Sequence, residues 1–391
     1  MQQTMTMRSI MADFADVTGL TDGSLEPRRY LWTDAFAVCN YLELYRQSGN
    51  EQDLQLALKL VDQVHGTLGK FHRDSEHHGW LSGLDEEQAR LHPTIAGLRI
   101  GKPLNERRAD EVYDDRLEWD RDGQYFHYLT KWMHALNRVS QVSDKSFYNR
   151  WALELASVAF AAFTYTPVSG GHKRMYWKMS TDLSRALVAS MGQHDPLDGF
   201  ITYQQLAASA KQFPEIPAEL DLKTEIEELQ VMCAAGSWAT DDPLGIGGLL
   251  TDAYRLVQLI DVHHLNESRR LELLLHDIDI SLQAFASNNQ LHLPAEYRLA
   301  FRELGLVIGL HAIDRMRNCI EQHQENFTNA DQLNAVLNKL LRFNRIIELI
   351  EHFWLNPENR LVDSWYEHAD INNVMLATSM APDGFLSFAH G

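Results

Sequence analysis

Apolar residues recur at helical spacing along nearly the whole chain. Between Tyr30 and Gln47 they fall at Leu31, Ala35, Val38, Leu42 and Tyr45, a stripe that stops at Ser48-Gly49-Asn50. From about Glu51 to Phe71 the period returns, with Leu54, Ala57, Leu58, Val61 and Val64 on one face. Helix, tight polar turn, helix predicts an antiparallel αα-hairpin. The unit recurs as 123–142 with 147–163, 183–210 with 222–235, 246–262 with 268–286, and 294–322 with 330–353. A last helix over 371–380 has no following partner, and one near 5–17 can supply it. The prediction is an all-α fold with no strand ladder beyond a short ribbon.

Strict helical repeats would stack as an open solenoid and would share a period and a consensus. These hairpins are unequal in length and share only amphipathicity. Closure into a ring, with one helix of each pair inside and one outside, accommodates that. The first helices are the more aromatic and glycine-rich members (YLWTDAF, GQYFHYLTKWMHAL, IGGLLTDAY), which suits an inner ring of closely packed helices around a cavity. The arrangement resembles the (α/α)6 toroid of the six-hairpin glycosidase superfamily, with the N-acylglucosamine 2-epimerase family as an architectural relative. The resemblance implies a sugar-sized cavity where the inner helices begin, lined by carboxylates, histidines and aromatics. It also implies hydrolysis, hydration of unsaturated sugars, or epimerisation as the chemistry. No low-complexity linker divides the chain, so one toroid domain over 1–391 is expected. The segment 80–118 carries Gly, Pro and mixed charge without periodicity. It is too long for an idle connector and is expected to be a cavity lid or a subunit contact, contributing little to the core.

The expected inner-helix entrances are polar and aromatic together. They read Trp32-Thr-Asp34, Glu118-Trp-Asp120-Arg-Asp122-Gly-Gln124, Gln193-His194-Asp195-Pro-Leu-Asp198-Gly199, Asp241-Asp242-Pro243 and Asp363-Ser-Trp365-Tyr-Glu-His368-Ala-Asp370. An Asp before a helix is ordinarily a cap. Caps need no aromatic neighbour, whereas sugar faces stack on aromatics, so the co-occurrence points to a carbohydrate site. Glycoside hydrolysis requires two carboxyl groups, one protonated and one ionised. Epimerisation beside a carbonyl requires two bases, and imidazoles titrate in the right range. Both chemistries stay open, as does a sugar-binding protein without catalysis. The candidate catalytic residues are Asp120, Asp122, His194, Asp195, His368 and Asp370. Gln193, Tyr176, Trp177, Lys178, Trp365 and Asp363 are the candidate substrate contacts, and all are expected to meet at one cavity. Within Gly170–Met179 the cations Lys173, Arg174 and Lys178 flank Tyr176 and Trp177, a pattern suited to an anionic sugar or to a loop that plugs the ring. His127 and His134 read as packed core histidines.

Composition removes other classes. Lys and Arg total 35 against 54 Asp and Glu, a net charge of −19, which repels nucleic-acid phosphates and anionic lipid. The small-molecule partner expected is a carbohydrate, with no nucleic acid and no membrane, and with self-association through 80–118 left open. The start of the chain lacks the apolar core of a signal peptide, and Cys39, Cys233 and Cys319 form no CxxC. A cytoplasmic protein is expected. Glu118-x-Asp120-x-Asp122-Gly123 imitates a calcium loop, but Leu129 stands where the twelfth-position Glu belongs. HExxH, GxSxG, P-loop and GxGxxG patterns are absent, so neither a metal nor a cofactor is expected.

Overall fold

A computed structural model describes residues 2–190 and 192–388. The chain begins with α1 (Gln2–Val17) and gathers into two compact units, Ala15–Gly236 and Ser237–Gly391 with Met1–Phe14.

In the larger unit α2 (Leu31–Ser48) and α3 (Glu51–Leu68) form the first hairpin. Gly49 ends α2 at φ 67°, returning its N–H to the Tyr45 carbonyl, and Asn50 caps α3 by accepting from the Gln52 amide. Two short helices, α4 (Glu86–Leu91) and α5 (Asp115–Asp120), precede β1 (Gln124–Tyr125) and the second hairpin, α6 (Phe126–Ser143) and α7 (Ser146–Phe163). The strands β2 (Thr164–Tyr165), β3 (Arg174–Met175), β4 (Lys178–Met179) and β5 (Ala186–Val188) follow, then α8 (Asp195–Ala210) and α9 (Lys223–Met232). The first helices lie side by side, α2 on α6 and α6 on α8. Their buried polar atoms satisfy one another: His134 Nδ1 meets Gln205 Oε1 at 3.1 Å, and Gln205 donates to Asn137 at 2.6 Å, which donates to Asn149 at 2.9 Å. His134 is therefore the core histidine that its position predicts.

Helix α8 starts twelve residues later than the periodicity from Leu183 indicates. Residues 186–188 instead pair with β4, which also pairs with β1, and Pro196 in the first turn fixes the true start. The ladders are two or three residues long.

The segment 80–118 contributes more to the core than its lack of periodicity leads one to expect. Leu98 and Ile100 are fully buried, and the Gln124 side chain accepts from the Leu98 amide and donates to the carbonyls of Ala96 and Thr181. Thr94 donates to the Trp151 carbonyl at 2.7 Å. Arg99 is buried, donating to the carbonyls of Lys70 and Thr67 and pairing with Asp122. Periodicity misses this segment because extended chain held by side-chain hydrogen bonds has no helical stripe.

The smaller unit pairs α10 (Pro243–His263) with α11 (Ser268–Ser287). Helices α12 (Ala300–Leu310) and α13 (Ala312–Gln322) are separated only by His311, itself in helical conformation, and form one bent arm. It packs on a second bent arm, α14 (Ala330–Leu340) and α15 (Arg345–Leu355). Then come α16 (Asp363–Tyr366), α17 (Ala369–Met380) and α18 (Asp383–Leu386). Helix α12 contacts both α10 and α17. Among the described residues no helix is long and apolar enough to cross a membrane.

Candidate functional site

The first turns of α6 and α8 bring together two ionisable groups far from their ordinary values. His127 lies one residue into α6, and Asp195 opens α8 with Asp198 three residues on. The His127 Nδ1 is 3.7 Å from the Asp195 Oδ1. Asp198, almost fully buried, pairs with Lys131 at 2.8 Å and accepts from Thr130 Oγ1. Burial, reinforced by the charge of Asp198, pushes the Asp195 carboxyl up to about 7, against the opposing pull of His194 and Lys131. The position of Asp195 at a helix N-terminus favours the anion, and burial outweighs it. Burial, with Lys131 next, drives the His127 imidazole down to about 3. At neutral pH the site holds an uncharged imidazole beside a carboxyl that exchanges its proton readily.

Aromatic rings wall this pair. Tyr125 stacks on His127 at 5.3 Å, Trp177 lies nearly parallel to it at 6.2 Å, and Tyr128 meets it edge-on at 5.0 Å. Trp32 packs on Tyr128 at 5.3 Å, and the hydroxyls of Tyr30 and Tyr128 are 2.5 Å apart. Trp119, exposed, meets Trp177 edge-on at 5.5 Å. Buried polar atoms of this cluster without a hydrogen-bond partner among the described residues include Trp32 Nε1, His127 Nδ1 and Asp195 Oδ2. Leaving such groups unsatisfied is costly. A donor, an acceptor-capable ring nitrogen and a carboxyl beside aromatic faces suit a polyhydroxylated ligand.

Of the residues singled out from sequence, His194, Asp195 and Trp177 belong to this cluster, His194 through its charge interaction with both His127 and Asp195. Gln193 and Asp120 are exposed, and Tyr176 is stacked on Tyr165 at 4.3 Å. Within this unit, the expectations for Asp122 and Lys178 need correction. Asp122 is fully buried, paired with Arg99, and accepts from the amides of Gly101 and Gly123 at 3.0 Å each; it anchors the loop and offers nothing to a substrate. Lys178 is fully buried, its ammonium bonded to the Glu118 carboxylate and to the carbonyls of Glu118 and Arg121. Strand pairing of β4 turns it inward, so it cannot meet an anionic sugar. Glu118 also takes Arg107 at 3.1 Å, so two of the three carboxylates in the calcium-like spacing, Glu118 and Asp122, are already paired with cations.

The remaining four lie in the smaller unit. Trp365 is buried against Trp354 at 5.5 Å with Arg360 over its ring, so it packs where a sugar contact was expected. Asp363 and His368 are exposed, His368 meeting Phe301 edge-on, and Asp370 is half-buried. This unit has its own cavity of about 370 Å³ at the N-terminal ends of α10 and α12, lined by Asp241, Asp242, Tyr297, Arg298, Arg302 and Glu303 among others. There Arg302 pairs with Asp242 at 2.6 Å and Arg298 with Glu303. Asp242 also caps α10 through the Gly245 amide.

Sequence reasoning missed His127, Lys131 and Tyr128. The available signal was the crowding of three aromatics and a histidine into Tyr125–Tyr128 at the very start of a helix, where packing needs only one face.

No known family model matches the chain, and no curated protein matches it in sequence. Solved structures do. The chain is similar to the GH76A alpha-1,6-mannanase from Salegentibacter sp. HEL1_6, with 10% identity and a TM-score of 0.51 over 97% of this chain and 99% of that one. It also matches cellobiose 2-epimerases from Spirochaeta thermophila DSM 6192 and Bacillus thermoamylovorans B4167. The first shows 13% identity and a TM-score of 0.46 over 95% and 97% of the two chains. The second shows 10% identity and a TM-score of 0.44 over 81% and 76%. The fold class is the all-α, six-hairpin (α/α)6 type.

Proposed function

We propose that this chain is a carbohydrate-active enzyme that cleaves a glycosidic bond by acid–base catalysis, with Asp195 as the proton donor. The observation that carries the reading is the Asp195 carboxyl itself: buried, held near pH 7 by burial and by Asp198, and set among aromatic faces. A general acid must keep its proton until the leaving oxygen needs it, which favours a pKa close to the working pH. Protonation of the glycosidic oxygen by Asp195 would release the leaving group as an alcohol while the anomeric carbon passes through oxocarbenium character and is captured by water, whose proton returns to solvent or to Asp195. Asp198, oriented by Lys131 and Thr130, keeps Asp195 protonated and supplies negative potential to that cation. Trp177 and Tyr125 supply apolar faces for the ring, and His127 and Trp32 bind hydroxyls. Sharing a fold with a mannanase supports the class and says nothing of the sugar.

One observation favours a second reading. His127 and His194 act on each other electrostatically, so two imidazoles stand near one carboxyl, as epimerisation beside a carbonyl would use. A panel of aryl and alkyl glycosides separates these readings. Asp195→Asn should abolish cleavage of alkyl glycosides yet spare dinitrophenyl glycosides, whose leaving group needs no proton. Equal loss or equal retention on both overturns the assignment. Deuterium uptake from D2O at C2 of a reducing sugar, without cleavage, favours the epimerase. Stabilisation by sugars with neither reaction leaves a binding protein.

A further inference from the structure

In the smaller unit, away from the cavity at the start of α10, a second group of ionisable side chains converges. Asp261 lies in the last turn of α10, and Cys319 and His323 lie at the end of α13 and just beyond it. The spacing i, i+4 puts Cys319 and His323 on one helical face. A ligand atom from each of the three lies within 4.8 Å of the other two. His323 Nδ1 is 2.9 Å from Asp261 Oδ2, and Cys319 Sγ is 3.5 Å from that same oxygen. Tetrahedral zinc, with bonds of about 2.0 Å to oxygen and nitrogen and about 2.3 Å to sulfur, sets its O···S edge near 3.5 Å and its O···N edge near 3.3 Å. The O···S edge matches, the O···N edge is slightly short, and the N···S edge lies within 4.8 Å.

We propose that Asp261, Cys319 and His323 bind a divalent transition ion of the zinc class. One thiolate, one imidazole and one carboxylate is a soft-to-borderline donor set that selects zinc or cobalt over magnesium or calcium. Three protein ligands leave the fourth position to water. The His323 side chain is 47% exposed, which provides the entry path. Asn326 supports the carboxylate, its amide donating to Asp261 Oδ1 at 2.8 Å and to the Asp261 carbonyl at 3.3 Å. His323 Nδ1 lies 2.9 Å from both Asp261 oxygens, Asn326 holds Oδ1 and Cys319 faces Oδ2, the outer support that metal ligands ordinarily have. Binding releases the thiol proton and takes His323 as the tautomer with its proton on Nε2, so two hydrogen bonds are exchanged for three metal bonds. The ion would pin the end of α10 to the end of α13. Asp261 lies eighteen residues after the first residue of α10, about 27 Å along the helix, so the role is structural or regulatory for this unit.

The full-length protein, stripped with a chelator, is titrated with Co2+ and then with Zn2+. The expected result is one equivalent of tetrahedral cobalt, with strong visible d–d bands and a near-ultraviolet thiolate charge-transfer band, both displaced by zinc. Cys319→Ser, which keeps a donor for Asp261, should remove the charge-transfer band. Asn326→Ala should weaken affinity roughly 10- to 100-fold. Zinc should raise the melting temperature of the parent and not of His323→Ala, a change at a half-exposed ring that leaves the fold intact. Weak octahedral cobalt bands, or a cobalt spectrum and zinc-induced stabilisation that persist in both variants, overturn the proposal and place the ion elsewhere on the histidine-bearing surface.

Discussion

His127 Nδ1 and Asp195 Oδ1 stand 3.7 Å apart at the head of two neighbouring helices, and the protein holds both groups away from their ordinary protonation. Burial disfavours charge on each, so the pair rests as neutral imidazole and, up to about pH 7, neutral carboxylic acid. That relationship makes the site a reservoir for one proton near physiological pH.

Stability should record the cost of that arrangement. Asp195 titrates higher when folded, about 7 against an ordinary 3.8, so between these values the native state binds more protons than the unfolded one. Stability contributed by the proton is complete below the unfolded value and is lost as pH rises through 7. Asp195→Asn removes the penalty of a buried anion. It should therefore melt higher than the parent at pH 8, by up to a few kcal/mol in denaturant titrations, and show little difference at pH 3.5. Glycoside cleavage in the parent should fall as pH rises through about 7. An unchanged melting temperature at pH 8 would mean that solvent reaches Asp195 freely.

The neighbouring charge can be tuned separately. Asp198 raises the proton affinity of Asp195, so Asp198→Asn should move the alkaline limb of the pH–rate profile to lower pH. Lys131→Met acts differently, because it strands the carboxylate of Asp198 in the interior beside a lost partner. Breaking a buried pair from one side costs about 3–5 kcal/mol. Urea titration should find the Lys131 variant much less stable than the double variant lacking both charges.

The hairpins were legible because apolar period and turn chemistry agree: Gly49 and Asn50 close and open helices as their types require. The (α/α)6 class followed from the succession of such pairs. The candidate site proposed above was legible only in part. Asp195 and His194 stand in a Gln-His-Asp-Pro run that announces a helix start, and Trp177 stands among cations. His127 was indistinguishable from core, since a histidine on an aromatic helix carries no mark of whether its ring nitrogen finds a partner. Asp122 and Lys178 misled for the opposite reason. A charged residue in a polar stretch looks exposed until Arg99 and Glu118, distant in sequence, arrive to bury it. The grouping of Asp261, Cys319 and His323 was not legible, because Asp261 is on another hairpin.

The loop through Arg99 should behave as core. Its guanidinium joins Asp122 to the carbonyls at the end of α3 and just beyond it, and Leu98 and Ile100 are buried on either side. Arg99→Met leaves Asp122 buried and unpaired and should cost about 3–5 kcal/mol. Deleting 92–101 should abolish cooperative unfolding. Shortening 108–113, where Val112 and Tyr113 are exposed, should leave the melting temperature nearly unchanged. If deletion of 92–101 is tolerated, the segment is the lid or subunit contact that its sequence first indicates.

Within the smaller unit the α10–α12 crossing should be the least forgiving position. A Cβ built on Gly247 would stand 2.1 Å from the Gly305 carbonyl oxygen and 2.8 Å from the Leu306 nitrogen, while one on Gly309 would stand 2.5 Å from the Gly247 oxygen. All of these neighbours are backbone, so no side-chain rotation can make room and the helices must separate. Overpacking a core commonly costs about 1–3 kcal/mol, and forcing two helices apart along a buried seam should reach or exceed the top of that range. Gly66 in α3 provides the contrast, being exposed, with no atom within 4 Å of the place a methyl group would take. There alanine gains helix propensity of up to about 1 kcal/mol. Chemical denaturation should therefore show Gly247→Ala strongly destabilised and Gly66→Ala slightly stabilised. Equal, small effects at both positions would mean that the two helices are not in backbone contact.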